Sequence, residues 1–184
     1  SLKDHDIIET ASARTVQKAT MSKPYIPPLT EDEIATWPTE PLVAMEKPFV
    51  DARGEIQPLV DLMMRSAVMI ESKKGSLRAN HYHKTDWHYC YVISGAIEYY
   101  HRPTGSEDEP ECLLVKTGEM VFTPPMVDHG MTFPEDTTFL TLSRNPRDQE
   151  SYEADVVLSS LKAGNGQLVL KENGRTIAEQ DINF

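Results

Sequence analysis

From Phe49 onward the hydrophobic positions come in short alternating runs, each closed by turn residues. Glu55–Val60, Ala67–Glu71, Leu77–His83, His88–Ile93, Ala96–His101, Cys112–Val115, Met120–Thr123, Gly130–Phe133 and Thr137–Ser143 read as strands. Lys74-Gly75, Ser94-Gly95, Pro103-Thr104-Gly105, Thr117-Gly118, Pro124-Pro125 and Phe133-Pro134 separate them. Many short strands at close spacing predict an all-β sandwich or barrel. Two more β-like stretches, Asp155–Leu158 and Gln167–Leu170, follow Tyr152.

The first part of the chain has another texture. Pro24, Pro27, Pro28, Pro38, Pro41 and Pro48 exclude a central strand or a helix interior. Thr30-Glu31-Asp32-Glu33 has the pattern of a capping box and predicts a short helix from Glu31 to Trp37, ended by Pro38. Residues 1–48 therefore read as a proline-rich arm, 49–158 as the barrel and 159–184 as an extension that packs on the barrel or on a partner subunit. Residues 1–22 are expected to be partly disordered, with a loose helix over Ile7 to Lys18.

Composition narrows the partners. Eighteen Lys and Arg against 29 Asp and Glu give a net charge of −11 in 184 residues, which opposes binding to a phosphate backbone. No apolar run reaches the ~18 residues of a membrane span. No basic-then-apolar leader opens the sequence, and two cysteines, Cys90 and Cys112, make no disulfide framework; a cytoplasmic address is expected.

Four of the six histidines fall in two clusters on or beside predicted strands: His81, His83 and His88, then His129 about forty residues later. Side chains at i and i+2 of a strand share a face, so His81 and His83 point the same way. The loop Lys84–Trp87 brings His88 to the start of the next strand. Three imidazoles converging with a fourth from a distant strand make a first-row metal site. The plainer alternative is that one or two of them are hydrogen-bonded core or surface histidines.

The spacing also carries a resemblance. Gly75-x5-His81-x-His83-x4-His88-x6-Gly95 resembles the first cupin motif, and Gly118-x5-Pro124-x-Met126-x2-His129 resembles the second. This implies a double-stranded β-helix barrel with a metal between the motifs. His88 stands where cupins place a glutamate ligand, Met126 replaces the second motif's glycine and Phe133 its asparagine. An all-imidazole site favours zinc, iron, nickel or copper over magnesium or calcium.

A second resemblance is nested in the first. Phe49-Val50-Asp51-Ala52-Arg53-Gly54 is similar to the F-x-D-x-R-G segment of the deoxysugar-nucleotide 3,5-epimerases and 3,4-ketoisomerases. Leu77-Arg78-Ala79-Asn80-His81 is similar to the L-R-G-x-H stretch of the epimerases. Those families work without a metal, their histidine is the catalytic base and their arginine helps bind the nucleotide diphosphate. The resemblance thus gives His81 two competing roles, ligand or base, and gives Arg78 or Arg53 a phosphate-binding role.

A two-residue Ser94-Gly95 hairpin pairs Val92 with Ile97, Cys90 with Tyr99 and His88 with His101, all on one face. That register makes Tyr99 either an acid and substrate donor or a core aromatic, and puts His101 at the rim. Cys90 reads as a small buried hydrophobe, and Asp128 as solvated or as an orienter of His129. Tyr89, Tyr91 and Tyr100 then point outward and offer a surface to the arm. The expected assembly is a homodimer with arm or tail on the partner's barrel; the alternative is an arm folded back on its own sheet. Three functions fit: a metal-binding isomerase or epimerase of a sugar or nucleotide-linked sugar, a metal-dependent oxygenase or lyase, and a non-catalytic small-molecule-binding cupin.

Overall fold

The computed structural model describes residues 24–158 and 161, and the backbone of 163–164, 167–172 and 175–181. The expected loose helix over residues 7 to 18 lies outside the described residues. The arm carries α1 (Glu31–Ile34), shorter than the predicted helix. Thr30 caps it, its Oγ1 accepting the Glu33 N–H at 3.2 Å. A small hairpin of β1 (Phe49–Asp51) and β2 (Gly54–Ile56) stands where a longer Glu55–Val60 strand was expected. Pro58 sits inside that span, and a proline offers no N–H to a ladder.

The barrel follows: β3 (Ser66–Ser72), β4 (Leu77–His83), β5 (His88–Ser94), β6 (Ala96–Pro103), β7 (Glu111–Lys116), β8 (Met120–Thr123), β9 (Val127–Thr132) and β10 (Thr137–Ser143). Then come α2 (Gln149–Asp155) and β11 (Val156–Leu158). β12 (Ala163–Gly164), β13 (Gln167–Glu172) and β14 (Arg175–Asp181) form a separate antiparallel sheet in the tail. One barrel sheet has the order β3-β10-β5-β8 and the other β11-β4-β9-β6-β7, with antiparallel pairing throughout.

The Ser94-Gly95 turn does not close a ladder between β5 and β6, contrary to the sequence reading. β5 pairs with β10 and β8, whereas β6 pairs with β7 and β9, so the chain changes sheets at the turn. The inward parity survives because both sheets face one interior. Cys90, Val92, Ile97, Tyr99, Val115, Val121, Met131, Phe133 and Phe139 pack there as one buried cluster.

The outer face of the β5-containing sheet is buried as well. Trp87, Tyr89, Met120, Phe122 and Leu142 form a second cluster, packed by Trp37, Val43 and Met45 of the arm. Burial of each large apolar side chain contributes on the order of 1.5–3 kcal/mol. The arm also covers the open edge of β8. Val43 N donates to Met120 O at 2.9 Å, and Phe122 N donates to Pro41 O at 2.8 Å. The described arm lies along β8 of its own barrel. Tyr100, on the outer face of the other sheet, is buried too.

Candidate metal centre

β4 supplies His81 and His83, the first residue of β5 is His88, and β9 carries His129 opposite His81. A bulge between Ala79 and His81 sets that register. Ala79 and Asn80 both adopt left-handed backbone, with φ of 62° and 66°. Such bulges re-aim side chains beside functional sites. Met126, in the place of the second motif's glycine, also has positive φ (60°), and its N–H donates to His83 O at 2.8 Å. The backbone thus keeps the conformation that favours glycine.

The four imidazoles gather around His83. Its Nε2 lies 3.1 Å from His81 Nε2 and 3.0 Å from His88 Nε2. The His81 and His129 ring centroids are 4.8 Å apart. Outer partners fix the tautomers. His129 Nδ1 donates to Val127 O at 2.9 Å, and His83 Nδ1 donates to Asp155 Oδ2 at 3.1 Å, so each keeps an Nε2 lone pair facing inward. His88 Nδ1 bonds Ser143 Oγ at 2.6 Å. The single His83 Nε2 lone pair cannot accept well from both neighbours, whereas a cation shared with either of them satisfies the contact. Two ligands on an ion with bonds of about 2.1 Å lie about 3.0 Å apart at a right angle, which the observed separations match. The residues fit a divalent transition metal.

Burial favours the same state. It holds His81 and His88 well below the ordinary imidazole range, helped by the charges of neighbouring histidines, and pushes His129 down to about 3. Neutral imidazoles are the ligating form. The four do not make one compact group. His81, His83 and His129 form one trio, and His83, Asp86 and His88 form a second, with ligand atoms within 4.8 Å of one another in each.

Asp86 and Asp155 were not singled out from sequence. Asp155, at the end of α2, accepts from His83, from Thr85 N (2.8 Å) and Oγ1 (2.6 Å), and from Asp86 N (3.2 Å). Burial pushes its carboxyl up, but the His83 and Thr85 hydrogen bonds outweigh that and hold it below the usual carboxylate range. Asp86 Oδ1 accepts from Asn145 N at 2.9 Å, and burial raises its carboxyl to about 6. A cavity of about 270 Å³, counting its solvent opening, borders this wall; His83, Asp86, His88, Ser66, Ser151 and Tyr152 line it. Tyr152 sets its ring 6.3 Å from His81 and 5.8 Å from His83, with the Arg147 guanidinium 5.5 Å over it.

Other expected residues lie elsewhere. Tyr99 stacks on His101 at 5.2 Å, but its hydroxyl bonds Thr123 Oγ1 at 2.8 Å, and burial holds it protonated. Arg78 is exposed and donates to Ser72 Oγ and Glu71 O. Ser72 pairs with Thr137 at one end of β10 and His88 with Ser143 at the other. Six residue steps, about 20 Å, separate those ends. Arg78 does not reach the histidines. Arg53 is exposed on the β1–β2 turn and paired with Asp51. Asp128 turns outward to Arg102 and Thr104, not to His129. Cys90 is buried 3.5 Å from Thr141 Oγ1, its thiol pushed up to about 11, as an inert core residue should be.

No protein-family model and no curated protein matches the chain. Solved structures do. A sugar 3,4-ketoisomerase from Thermoanaerobacterium thermosaccharolyticum in complex with TDP aligns over 61% of this chain and 83% of its own, at TM-score 0.51 and 19% identity. The dTDP-4-dehydrorhamnose 3,5-epimerase from Sulfolobus tokodaii aligns over 66% and 83%, at 0.52 and 17%. The TDP-quinovose 3,4-ketoisomerase from Campylobacter jejuni aligns over 61% and 88%, at 0.52 and 15%. The chain has the all-β barrel fold of these enzymes.

Proposed function

We propose that this chain is a metal-binding cupin that isomerises or epimerises a keto sugar, free or nucleotide-linked. The observation that carries the metal part is the approach of His83 and His88 Nε2 to 3.0 Å, each with an outer partner on Nδ1, beside Asp86. The sugar part is supported by fold likeness and by the two sequence resemblances. His83, His88 and Asp86 would hold a divalent ion, which would supply Lewis acidity toward a substrate carbonyl.

The chain's own residues supply the proton chemistry. A neutral imidazole takes the proton from the carbon beside the carbonyl; the C–H electron pair forms the enolate C=C bond as the C=O π pair moves onto oxygen. Return of the proton to the other face of the same carbon gives an epimer; where that carbon bears a hydroxyl, transfer of the hydroxyl proton to the enolate oxygen and of the carbon-bound proton to the former carbonyl carbon gives the isomer. With the ion held by the His83, Asp86 and His88 group, His81 keeps its Nε2 free and is the candidate base. Tyr152, half-buried at the mouth, is better placed as a donor than Tyr99, whose hydroxyl is committed to Thr123. Incubation with a nucleotide-linked 4-keto sugar in D2O tests the reading. Deuterium entering beside the carbonyl is expected, and its absence from metal-loaded protein overturns the isomerase assignment.

A second reading rests on the His83, Asp86 and His88 trio. Two imidazoles and one carboxylate are the ligand set of non-haem iron oxygenases. Oxygen uptake by Fe2+-loaded protein in the presence of a candidate substrate would favour it.

A further inference from the structure

We infer that Asp86 is a ligand of the bound metal, so that the centre is a mixed imidazole–carboxylate site and not an all-imidazole one. The inference rests on the metal-binding part of the reading above and is independent of the substrate. Asp86 Oδ2 faces His88 Nε2 at 3.6 Å. That is too long for a hydrogen bond. It does match two ligands on one ion, which are about 3.6 Å apart when bonds of about 2.1 Å open to 120°. Asp86, His83 and His88 bring their ligand atoms within 4.8 Å of one another.

The carboxylate is held ready. Its Oδ1 accepts the Asn145 N–H, its own N–H donates to Asp155, and Asp155 also pins Thr85. The loop before β5 is thus fixed on both sides of Asp86, and Oδ2 is left toward the histidines. Charge argues the same way. Neutral imidazoles alone would leave a divalent ion's full charge inside a barrel wall where His83, Asp86 and His88 are all more than nine-tenths buried. Burying an uncompensated charge is expensive, and Asp86 halves it.

A third observation points to what completes the coordination. Ser151 is 1% exposed, and its Oγ has no hydrogen-bond partner; Ser66 Oγ is likewise buried and unpartnered. Both line the cavity onto which His83, Asp86 and His88 open. Buried hydroxyls are normally satisfied. A water or substrate oxygen on the ion would give these two a partner.

The test uses full-length protein stripped with chelator and titrated with Co2+, read by metal content and by the visible d–d spectrum. Asp86→Asn should bind Co2+ at least about tenfold more weakly than wild type, with an altered spectrum, while Asp86→Glu should keep more of the affinity. Unchanged affinity and spectrum in Asp86→Asn, with binding abolished in His83→Ala, would overturn the Asp86 assignment and leave the metal reading standing. Wild-type protein that takes up no Co2+ would overturn both. Should Asp86→Asn fail to fold, anomalous diffraction from Co2+-loaded wild-type crystals decides. An ion about 2.1 Å from Asp86 Oδ2 supports the assignment; one held by His81, His83 and His129 without Asp86 refutes it.

Discussion

Arg144 donates to Glu33 through Nε at 2.6 Å and through Nη2 at 3.2 Å, joining the arm to the residue that follows β10. Arg144 is buried, and it also donates to Pro27 O and Asn145 Oδ1. Trp87 Nε1 donates to the same Glu33 carboxylate at 3.0 Å. One glutamate of α1 therefore holds two residues that flank the candidate metal site, Trp87 beside His88 and Arg144 beside Ser143.

Glu33→Ala is expected to leave the Arg144 guanidinium buried without its counter-charge and to cost about 2–3 kcal/mol, below the range for a fully buried pair because Glu33 is partly exposed. Urea unfolding followed by tryptophan fluorescence measures it. A midpoint equal to wild type would show that the arm is held by apolar contacts alone.

The same contact has a pH sign. Partial burial pushes the Glu33 carboxyl up, but hydrogen bonds from Arg144 and Trp87 outweigh it and hold it below the usual carboxylate value. A depressed carboxyl contributes stability above its unfolded value near 4.5, and that stability is lost as pH falls through the folded value. The difference in unfolding midpoint between wild type and Glu33→Gln should therefore be largest at neutral pH and shrink in acid below about pH 4.5. A difference that stays constant from pH 7 to pH 3 would contradict it.

Asp155→Asn should loosen His83 and the 84–87 loop together. Its carboxylate accepts from the His83 ring and three further donors. Loss of such an outer partner lowers metal affinity by about 10–100-fold. Competition against a chromophoric chelator reads this directly, and circular dichroism separates it from unfolding. Affinity within a factor of two of wild type would mean that Asp155 holds the loop and leaves the ligand unaffected.

The sites of success and failure in the sequence reading follow from which contacts are local. His81 and His83 were legible because strand parity is a two-residue rule, and the short 84–87 loop fixed His88 nearby. Thr30 was legible as a cap for the same reason. The sheet change at Ser94-Gly95 was not legible. A Gly-containing turn between two strands has the pattern of a hairpin, and only the pairing of β5 with β10 reveals the corner. Asp155 lies 72 positions from His83, on a helix outside the motifs, so nothing local marked it. Asp86 was nearer, two positions before His88, but a loop carries no parity to say which way it points. A matched motif fixes the position of Arg78 in the chain but not its partners, Ser72 and Glu71 on the neighbouring strand segment.

Metal should stabilise the fold, because an ion bound only by the native state adds stability by mass action, about 2.7 kcal/mol at a hundredfold excess over Kd. For a chain of this size that corresponds to a rise in Tm of roughly 5–10 °C. Thermal unfolding with Zn2+ and after chelation tests it; an identical Tm would argue against a tight site.

Gly95 and Gly118 make the final comparison, since both have positive φ, +85° and +82°, in turns of the same barrel. A side chain in that conformation costs about 1 kcal/mol wherever it occurs. At Gly118 nothing lies within 4 Å of where a Cβ would be, so Gly118→Ala should cost that amount alone. At Gly95 the added Cβ would meet Thr137 Oγ1 at 2.4 Å, Asp136 O at 2.5 Å and Thr137 Cα at 2.8 Å. Two of these are backbone atoms that cannot rotate away. Thr137 Oγ1 also accepts the Ala96 N–H at 3.2 Å, so displacing it strips the first hydrogen bond of β6. The clash adds the 1–3 kcal/mol usual for overpacking, and Gly95→Ala should cost about 2–4 kcal/mol in all. Chemical denaturation of the two variants side by side gives the answer. Equal losses would mean that β10 moves aside freely at the corner, and that the passage from one sheet to the other does not depend on the close approach of Gly95 to Thr137.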